Sequence, residues 1–268
     1  MLKNQVLVYK TTYMKKLFTL IFLLVVIISN SQRTMFGGQN NYSEPLVAAR
    51  IVTADLLLYL NAGNTTSYSG SGTTWYDLST NLNHGTLATA SMANTASIPK
   101  YFTFNGTSNY VSFVTSKFNT TYTGKTIIAA ARLNPSFGTN VYRALFGNIS
   151  GGLRNFNFYL YQNGSGYQLH FADGGNNAFS SVLTLATNQW YVFAVTQESN
   201  TVKFFVNGVL VSSTTGPLSQ YQTSAEEYVG KADNYWYGEI NSIFIYKKGL
   251  SEVEILQNFN AIKSSLGL

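Results

Sequence analysis

A strand followed at once by a capped helix near the C-terminus restricts the folds open to this 268-residue chain more than any other stretch. From Trp236 to Tyr246, β-branched and aromatic residues alternate with polar or small ones, which predicts a strand buried on at least one face. The alternation assigns two sets of side chains to opposite faces: Gly238, Ile240, Ser242, Phe244 and Tyr246 on one, and Glu239, Asn241, Ile243 and Ile245 on the other.

The period of the sequence changes directly after this strand. Ser251 and Glu254 have the spacing of a capping box, in which the hydroxyl and the carboxylate each bind a backbone N–H of the first turn. Apolar residues then recur at helical spacing, at Val253, Leu256, Phe259 and Ile262. The sequence therefore predicts one short amphipathic helix with these residues on its buried face.

The rest of the chain is typical of strands and tight turns. Aromatic residues make up 15% of the sequence and charged residues only 10%. The Asn207-Gly208 pair between two apolar runs predicts a β-hairpin, since a type I′ turn needs positive φ at both central residues. The alanine-rich run Lys125–Arg132 is short and lies between Gly124 and Pro135, which favours a buried strand over a helix. About a dozen short strands and one helix predict an all-β fold, an antiparallel two-sheet jelly-roll sandwich with one short C-terminal helix.

The net charge of +6 is concentrated at the N-terminus. Residues 1–31 contain four lysines and no acid, so the remaining residues carry 13 basic and 11 acidic side chains, a balance of +2. Nucleic-acid binding needs a basic face or stripe, and a nearly neutral domain does not provide one. We therefore expect no nucleic-acid partner.

The N-terminal segment resembles an export signal. Met14-Lys15-Lys16 precedes an apolar run of about a dozen residues and then small residues near position 31, which is typical of a cleaved signal peptide. The run is shorter than the ~20 residues that span a bilayer. We predict a signal peptide or N-terminal hydrophobic anchor at 1–31, a polar linker at 32–53 and a jelly-roll domain at 54–268. The domain is expected outside the cell or on a surface, with membrane contact only through an uncleaved N-terminal segment.

Five stretches resemble the concanavalin A-like lectin/glucanase superfamily, and its laminin-G-like jelly rolls in particular. They include an opening strand, an Asn-Gly turn between two strands, a Trp-led strand followed by the Asn207-Gly208 hairpin, and a closing strand with its helix. These stretches are Leu56–Gly63, Phe104–Val111, Trp190–Thr196, Val202–Val211 and Gly238–Ile255.

The resemblance implies a fold that serves lectins, adhesion modules, virion components and glycosidases, so it does not by itself fix an activity. Enzymes of the superfamily that cleave glycans carry two or three carboxylates that alternate on one strand. None of the eleven acidic residues of this chain has that arrangement, and Glu226 and Glu227 are adjacent, so on a strand they face opposite sides. We therefore expect no catalytic residues and no enzymatic activity.

Aromatic residues next to loops are candidates for sugar binding. Exposed tyrosine and tryptophan rings provide flat apolar surfaces, and nearby polar groups fix the orientation of a ligand. Core packing is the alternative for Trp75 and Trp236, whereas the alternating strand around Trp190 predicts a core residue. The candidate ligand-binding residues are Trp75, Tyr76, Tyr142, Arg143, Tyr235, Trp236 and Tyr237.

The resemblance also implies a possible cofactor, because the family often binds calcium on one rim through an Asp or Asn side chain and backbone carbonyls. Oxygen ligands of this type suit a hard cation. The candidate is the segment 173–177, with Asp173, Asn176 and Asn177 as ligands. The alternative is a turn with a solvated aspartate. The two histidines, His84 and His170, are too few and too far apart in sequence to predict a zinc site.

Three functions are compatible with these observations. The first is an exported, non-catalytic carbohydrate-binding or adhesion module whose partner is a glycan or a glycosylated surface. The second is a structural or decoration protein of a virion or surface appendage, whose partners are neighbouring subunits. The third is a divergent glycosidase.

Overall fold

A computed structural model describes residues 50–113, 118, 122, 124–150, 153–154, 156–173, 176–215 and 226–268. The predicted signal segment and nearly all of the predicted linker lie outside these residues. The described part forms two antiparallel sheets and one α-helix, α1 (Glu252–Leu266), with a short 3-10 helix at Ala90–Met92. The predicted all-β sandwich with one C-terminal helix is confirmed.

The first sheet contains the closing strand of the domain at its centre. Its strand order is β16-β15-β14-β7-β18-β5-β4, and β1 also pairs with β18. The strands are β1 (Leu56–Asn61), β4 (Ala93–Asn94), β5 (Tyr101–Asn105), β7 (Gly124–Leu133), β14 (Trp190–Glu198), β15 (Thr201–Val206), β16 (Val209–Thr215) and β18 (Tyr237–Tyr246).

The second sheet lies against the first and has the order β13-β12-β11-β8-β17-β6-β3-β2. A separate pair of short strands, β9 (Ile149–Ser150) and β10 (Leu153–Arg154), follows β8. The strands of the second sheet are β2 (Thr74–Trp75), β3 (Gly85–Leu87), β6 (Val111–Phe113), β8 (Val141–Gly147), β11 (Asn157–Gln162), β12 (Tyr167–Asp173), β13 (Asn176–Phe179) and β17 (Glu227–Val229).

The alanine-rich run is a strand, as predicted, because both of its faces are covered. Ile127 and Ala129 of β7 belong to the core between the two sheets. Ile128 and Ala130 point the other way, into a second apolar cluster that includes residues of α1. A strand buried on both faces reads as a continuous apolar run in the sequence.

The Asn207-Gly208 hairpin is also confirmed. Asn207 has φ 52° and Gly208 has φ 78°, so both central residues are in the left-handed region that a type I′ turn requires. The turn joins β15 to β16 in antiparallel register. This places β16 at the edge of the first sheet.

The closing strand β18 differs from its predicted alternation at one point. Ile240 lies in the core between the sheets together with Ile243 and Ile245, although the sequence pattern assigned it to the face of Phe244. The register of β18 against β7 shifts between Ile240 and Ser242. A bulge of this kind adds one residue and reverses the facing of everything beyond it.

Helix α1 begins at the predicted capping box but buries a different face. Ser251 Oγ accepts from Glu254 N, and Glu254 Oε2 accepts from Ser251 N. Val253 is 75% exposed and Leu256 is also exposed, so the prediction for these two residues is wrong. The buried residues of the helix are Ile255, Asn258, Ile262 and Leu266.

Residues 50–53, predicted as part of a loose linker, are held against α1. Val52 N donates to Asn258 Oδ1 at 2.9 Å, and Tyr246 Oη donates to the Val52 carbonyl at 2.9 Å. Gln257 Nε2 donates to the Arg50 carbonyl at 2.8 Å. These contacts attach residues 50–53 to the jelly-roll domain. Within the described ranges, no helix has the length and apolar character needed to cross a bilayer.

Candidate functional site

The outer face of the second sheet carries a continuous aromatic surface. Along β11 and β12, Phe158, Leu160, Leu169 and Phe171 face the core, so the alternate residues point outward. We call the resulting surface the aromatic groove and define it by Tyr142 of β8, Tyr159 and Tyr161 of β11, His170 of β12 and Phe179 of β13.

The rings of the aromatic groove stack on one another across four adjacent strands. His170 lies parallel to Phe179 with ring centroids 4.3 Å apart, and Tyr159 stacks on the other side at 5.2 Å. Tyr142 stacks on Tyr161 at 4.1 Å. Strand pairing produces this arrangement, because Tyr161 is opposite Tyr142 and Phe179 is opposite His170 in the sheet register.

A cavity of about 170 Å³ opens in this groove. Tyr142, Tyr159, His170 and Phe179 provide its apolar walls, and the side chains of Asn177 and Asp233 complete its lining. Phe179 is 37% exposed and Tyr142 is half-buried, so both rings are accessible from solvent.

Polar contacts fix the position of the rings. His170 Nε2 and Asn177 Oδ1 are hydrogen-bonded at 2.8 Å. The Tyr159 hydroxyl accepts from Asn157 Nδ2 at 2.7 Å and donates to Asp233 Oδ2 at 3.5 Å. Asp233 belongs to the loop between β17 and β18, so this loop forms one wall of the cavity.

Tyr142 is a predicted binding residue that the structure places in the groove, whereas its neighbour Arg143 points to the other side of the sheet. The Arg143 guanidinium donates to the carbonyls of Gly106, Phe137 and Tyr235. Burial lowers the pKa of Arg143 below its usual value. Arg143 therefore connects the β5–β6, β7–β8 and β17–β18 loops by hydrogen bonds.

Two of the predicted sugar platforms are core residues. Trp75 and Trp236 are both 0% exposed, and each makes an edge-to-face contact with a core phenylalanine, Phe102 and Phe137 respectively. Neither ring offers a face to solvent, which corrects the prediction for both tryptophans. Trp190 is buried, as predicted from its alternating strand.

The other predicted aromatic residues lie away from the groove. Tyr76 is 45% exposed and packs edge-on against His84. The guanidinium carbon of Arg143 lies over the Tyr237 ring, 5.7 Å from the centroid of that ring. Tyr235 belongs to a second cluster, in which Lys231 Nζ lies 4.4 Å from the Tyr110 ring, 4.1 Å from the Tyr228 ring and 6.0 Å from the Tyr235 ring.

Two of the three predicted calcium ligands, Asp173 and Asn177, point in different directions. Asp173 is fully buried and its Oδ2 lies 3.5 Å from Lys125 Nζ inside the sandwich. Asn177 faces outward and binds His170 in the aromatic groove. Asn176 pairs with Asp173 in the strand register, but its side chain lies outside the described residues. Among the residues that the structure describes, no group of three or more His, Cys, Asp or Glu side chains is arranged to hold a metal ion.

Four of the five groove residues were missed by the sequence predictions. Tyr159, Tyr161, His170 and Phe179 lie on three strands whose pairing the sequence does not reveal. The alternation of β11 was a usable signal, because it places Tyr159 and Tyr161 on the face opposite to Phe158 and Leu160. That alternation identifies an aromatic outer face but not the strands beside it.

A family comparison supports the fold assignment. Residues 105–256, more than half of the chain, match a laminin-G family profile described as the concanavalin A-like lectin/glucanases superfamily. The chain belongs to this superfamily. The family resemblance predicted from the five sequence stretches is thereby confirmed. No curated protein sequence is significantly similar to the chain.

Similar solved structures share the fold at low identity. Domain 4 of AbnA, a GH43 extracellular arabinanase from Geobacillus stearothermophilus solved in complex with arabinotriose, is 16% identical with a TM-score of 0.58, covering 77% of this chain and 99% of that domain. Trypanosoma rangeli sialidase is 15% identical with a TM-score of 0.58, covering 80% of this chain and 34% of the sialidase. The botulinum neurotoxin serotype D binding domain is 13% identical with a TM-score of 0.57, covering 76% of this chain and 50% of that chain.

These identities establish the fold alone. This superfamily member corresponds to the whole of the arabinanase domain but only to about a third of the sialidase and half of the toxin chain. The arabinanase domain was solved with arabinotriose, and the sialidase was also solved with sialic acid.

Proposed function

We propose that the chain is an exported, non-catalytic carbohydrate-binding module and that the aromatic groove is its sugar site. The observation that carries this proposal is the stack of rings across β8, β11, β12 and β13, with two rings accessible from solvent and polar groups in one cavity. Aromatic walls with a few fixed polar groups are typical of small-molecule sites.

The groove suits the chemistry of a sugar ring. Aromatic faces carry partial negative charge, and the C–H bonds on one face of a pyranose or furanose carry partial positive charge, so the two surfaces attract. Phe179 is the groove ring with the largest exposed fraction, 37%, and one of its faces stacks on His170, which leaves the other for a ligand. A sugar lying on this ring brings its hydroxyls toward the Asn177 amide and the Asp233 carboxylate.

The size of the cavity limits how much of a glycan it can hold. Its volume of about 170 Å³ is below the ~300 Å³ at which typical ligand pockets begin. We therefore propose that the groove takes one terminal sugar unit, with the rest of the glycan in solvent. Binding to a single unit is weak, so tight attachment would need several copies on one surface.

The acidic residues favour binding over cleavage. Glycoside hydrolysis by the usual mechanism needs two carboxyl groups flanking the scissile bond. Asp233 is the one acidic residue among the described side chains that line the cavity. A site with one carboxylate can hold a sugar by hydrogen bonds without supplying both an acid and a nucleophile.

The site can be tested with a glycan array and three forms of the protein. We expect the wild type to bind a defined set of glycans, and Phe179→Ala to bind the same set about two- to tenfold more weakly, since an aromatic contact contributes ~0.5–1.5 kcal/mol. Tyr76→Ala removes an exposed ring far from the groove and should bind like the wild type. Absence of binding to every class, with and without calcium, would refute the proposal and favour the role of a structural subunit.

Catalysis and export have separate tests. Reducing-sugar assays on the glycans bound in the array should detect no release, and steady release would establish a glycosidase. Export is proposed from the Met14-Lys15-Lys16 signal pattern and the apolar run that follows it. N-terminal sequencing of the mature chain should find a start near Gln32, whereas a chain that still begins at Met1 would contradict cleavage.

A further inference from the structure

A lysine and two acidic residues are enclosed between the two sheets, far from solvent. Lys125 lies on the inner face of β7, and Asp173 lies on the inner face of β12 in the opposite sheet. Lys125 Nζ and Asp173 Oδ2 are 3.5 Å apart, and the two side chains are 1% and 0% exposed. They are 48 positions apart in sequence, so the contact joins distant parts of the chain.

A second carboxyl group lies next to this pair. Glu227, on β17, is buried, and both of its oxygens accept from Phe118 N at 3.1 and 3.0 Å. Val229 of the same strand belongs to the core between the sheets, so Glu227, two residues earlier, faces the same interior as Lys125 and Asp173. The Phe156 ring covers the amine on another side, with its centroid 5.0 Å from Nζ.

This environment is unfavourable for a simple ion pair. Removing a lysine and an aspartate from water is energetically costly, and the cost is offset only when the remaining polar atoms are well hydrogen-bonded. The 3.5 Å separation is longer than the ~2.7–2.9 Å of a strong charged hydrogen bond. In the described part of the chain, Asp173 Oδ1 has no hydrogen-bond partner.

Burial instead favours the neutral forms of both groups, because the two side chains are only 1% and 0% exposed and no water is available to solvate a charge. A neutral amine is a nucleophile, and a protonated carboxyl group can lose its hydroxyl as water.

We propose that Lys125 and Asp173 become joined by an intramolecular amide bond, with Glu227 as the group that transfers the proton. Lys125 Nζ lies 3.5 Å from Asp173 Oδ2, so the amine is held in contact with the carboxyl group that it attacks, which removes the entropic cost of bringing the two together. Water, which would favour hydrolysis and ionisation, has no access to the side chains.

The reaction balances without an oxidant or cofactor. The lone pair of Lys125 Nζ attacks Asp173 Cγ, and a new N–C bond forms. Glu227 accepts one proton from the nitrogen and delivers it to a carboxyl oxygen of Asp173, which leaves as water when its bond to Cγ breaks. The products are one amide and one water molecule, and Glu227 returns to its initial state. No atom changes oxidation state.

The cross-link would tie the first sheet to the second through covalent bonds in a chain that has no cysteine. It also conflicts with calcium binding by Asp173, because an amide retains one neutral carbonyl oxygen and no carboxylate. The two possibilities therefore make opposite predictions about this residue.

Peptide mapping of the purified full chain tests the proposal. Trypsin does not cleave after an acylated lysine, so the linked chain should give residues 118–132 as one peptide joined to residues 155–203, with a total mass lower by one water. The exposed pair Lys247–Asp55, at 3.7 Å, is a control in the same digest and should remain unlinked. Free peptides 118–125 and 126–132 as the main products would overturn the proposal.

Variants test the assigned roles. Asp173→Ala should restore cleavage after Lys125, and Glu227→Gln should leave most of the chain unlinked while circular dichroism shows an unchanged β spectrum. A fully linked Glu227→Gln protein would overturn the role of Glu227. If either variant fails to fold, the wild-type peptide map still decides whether the Lys125–Asp173 bond exists. A peptide pair that has lost one water at any other site in that map would count against the proposal.

Discussion

Trp236 provides the most discriminating test of the packing, because its two possible roles predict opposite results. As a core residue it should determine stability, whereas as a sugar platform it should determine binding. It is 0% exposed and its ring meets Phe137 edge-on at 5.6 Å. Replacing a buried aromatic residue by alanine costs about 3–5 kcal/mol in lost burial and cavity formation. For a domain of this size, 1 kcal/mol corresponds to a Tm change of about 2–4 °C, so we expect Trp236→Ala to lower Tm by roughly 6–20 °C.

Two further variants sharpen this prediction. Trp236 Nε1 has no hydrogen-bond partner among the described residues, so Trp236→Phe removes no polar contact and should be clearly milder than Trp236→Ala. Tyr76→Ala, at an exposed ring, should change stability by less than about 0.5 kcal/mol. Differential scanning calorimetry gives the Tm values. An unchanged Tm for Trp236→Ala together with lost glycan binding would refute the assignment of this residue to the core.

Three other predictions concern a turn, a helix cap and a metal. Gly208→Ala should destabilise the domain by about 1 kcal/mol in a denaturant titration, since its φ of 78° disfavours any side chain; an unaffected midpoint would contradict the turn assignment. Burial raises the pKa of Glu254, but hydrogen bonds from Lys248 and Ser251 outweigh it and hold the pKa below its usual value. The stability from this carboxylate should therefore be complete above the unfolded pKa and lost as pH falls through the folded pKa, a dependence that thermal melts of Glu254→Gln should lack. Calcium and a chelator should give the same Tm, because Asp173 is buried beside Lys125 while Asn177 faces outward toward His170; a calcium-dependent rise in Tm that Asp173→Ala abolishes would instead establish the predicted site.

Local sequence signals predicted local structure correctly. The Asn207-Gly208 turn and the Ser251–Glu254 capping box depend on a few adjacent residues, so their geometry could be read directly from the sequence. The strand at Lys125–Arg132 could be distinguished from a helix by its length and its flanking residues. All three features lie within residues 105–256, the part of the chain that matches the family profile.

The errors arise where a distant contact decides the outcome. A bulge in β18 brings Ile240 to the core side, and strict alternation cannot anticipate an added residue. In α1, Asn258 is buried because it is hydrogen-bonded to the Val52 backbone and to the Tyr246 hydroxyl. With this face of the helix against the domain, Val253 faces solvent. An amphipathic pattern counts only apolar residues, so it could not place a polar residue on the buried face.

The candidate site depends on strand pairing for the same reason. His170 and Phe179 become neighbours only because β12 and β13 pair in one register, and Tyr142 joins them through β8 and β11. The sequence predictions included two tryptophans as sugar-binding residues because their rings are large and flat. A large ring also buries the most apolar surface in a sandwich core. Burial of Trp75 and Trp236 reflects that competing role.

The central claim is that sugar binds in the aromatic groove, and ring resonances in a glycan titration test it most directly. A nuclear magnetic resonance titration of the labelled protein with the best glycan from the array should shift the signals of His170, Tyr142 and Phe179. The signals of Tyr76 and Tyr237, which lie elsewhere on the domain, should remain in place. Shifts confined to Tyr76 or Tyr237, with the groove signals unchanged at saturating glycan, would contradict the account.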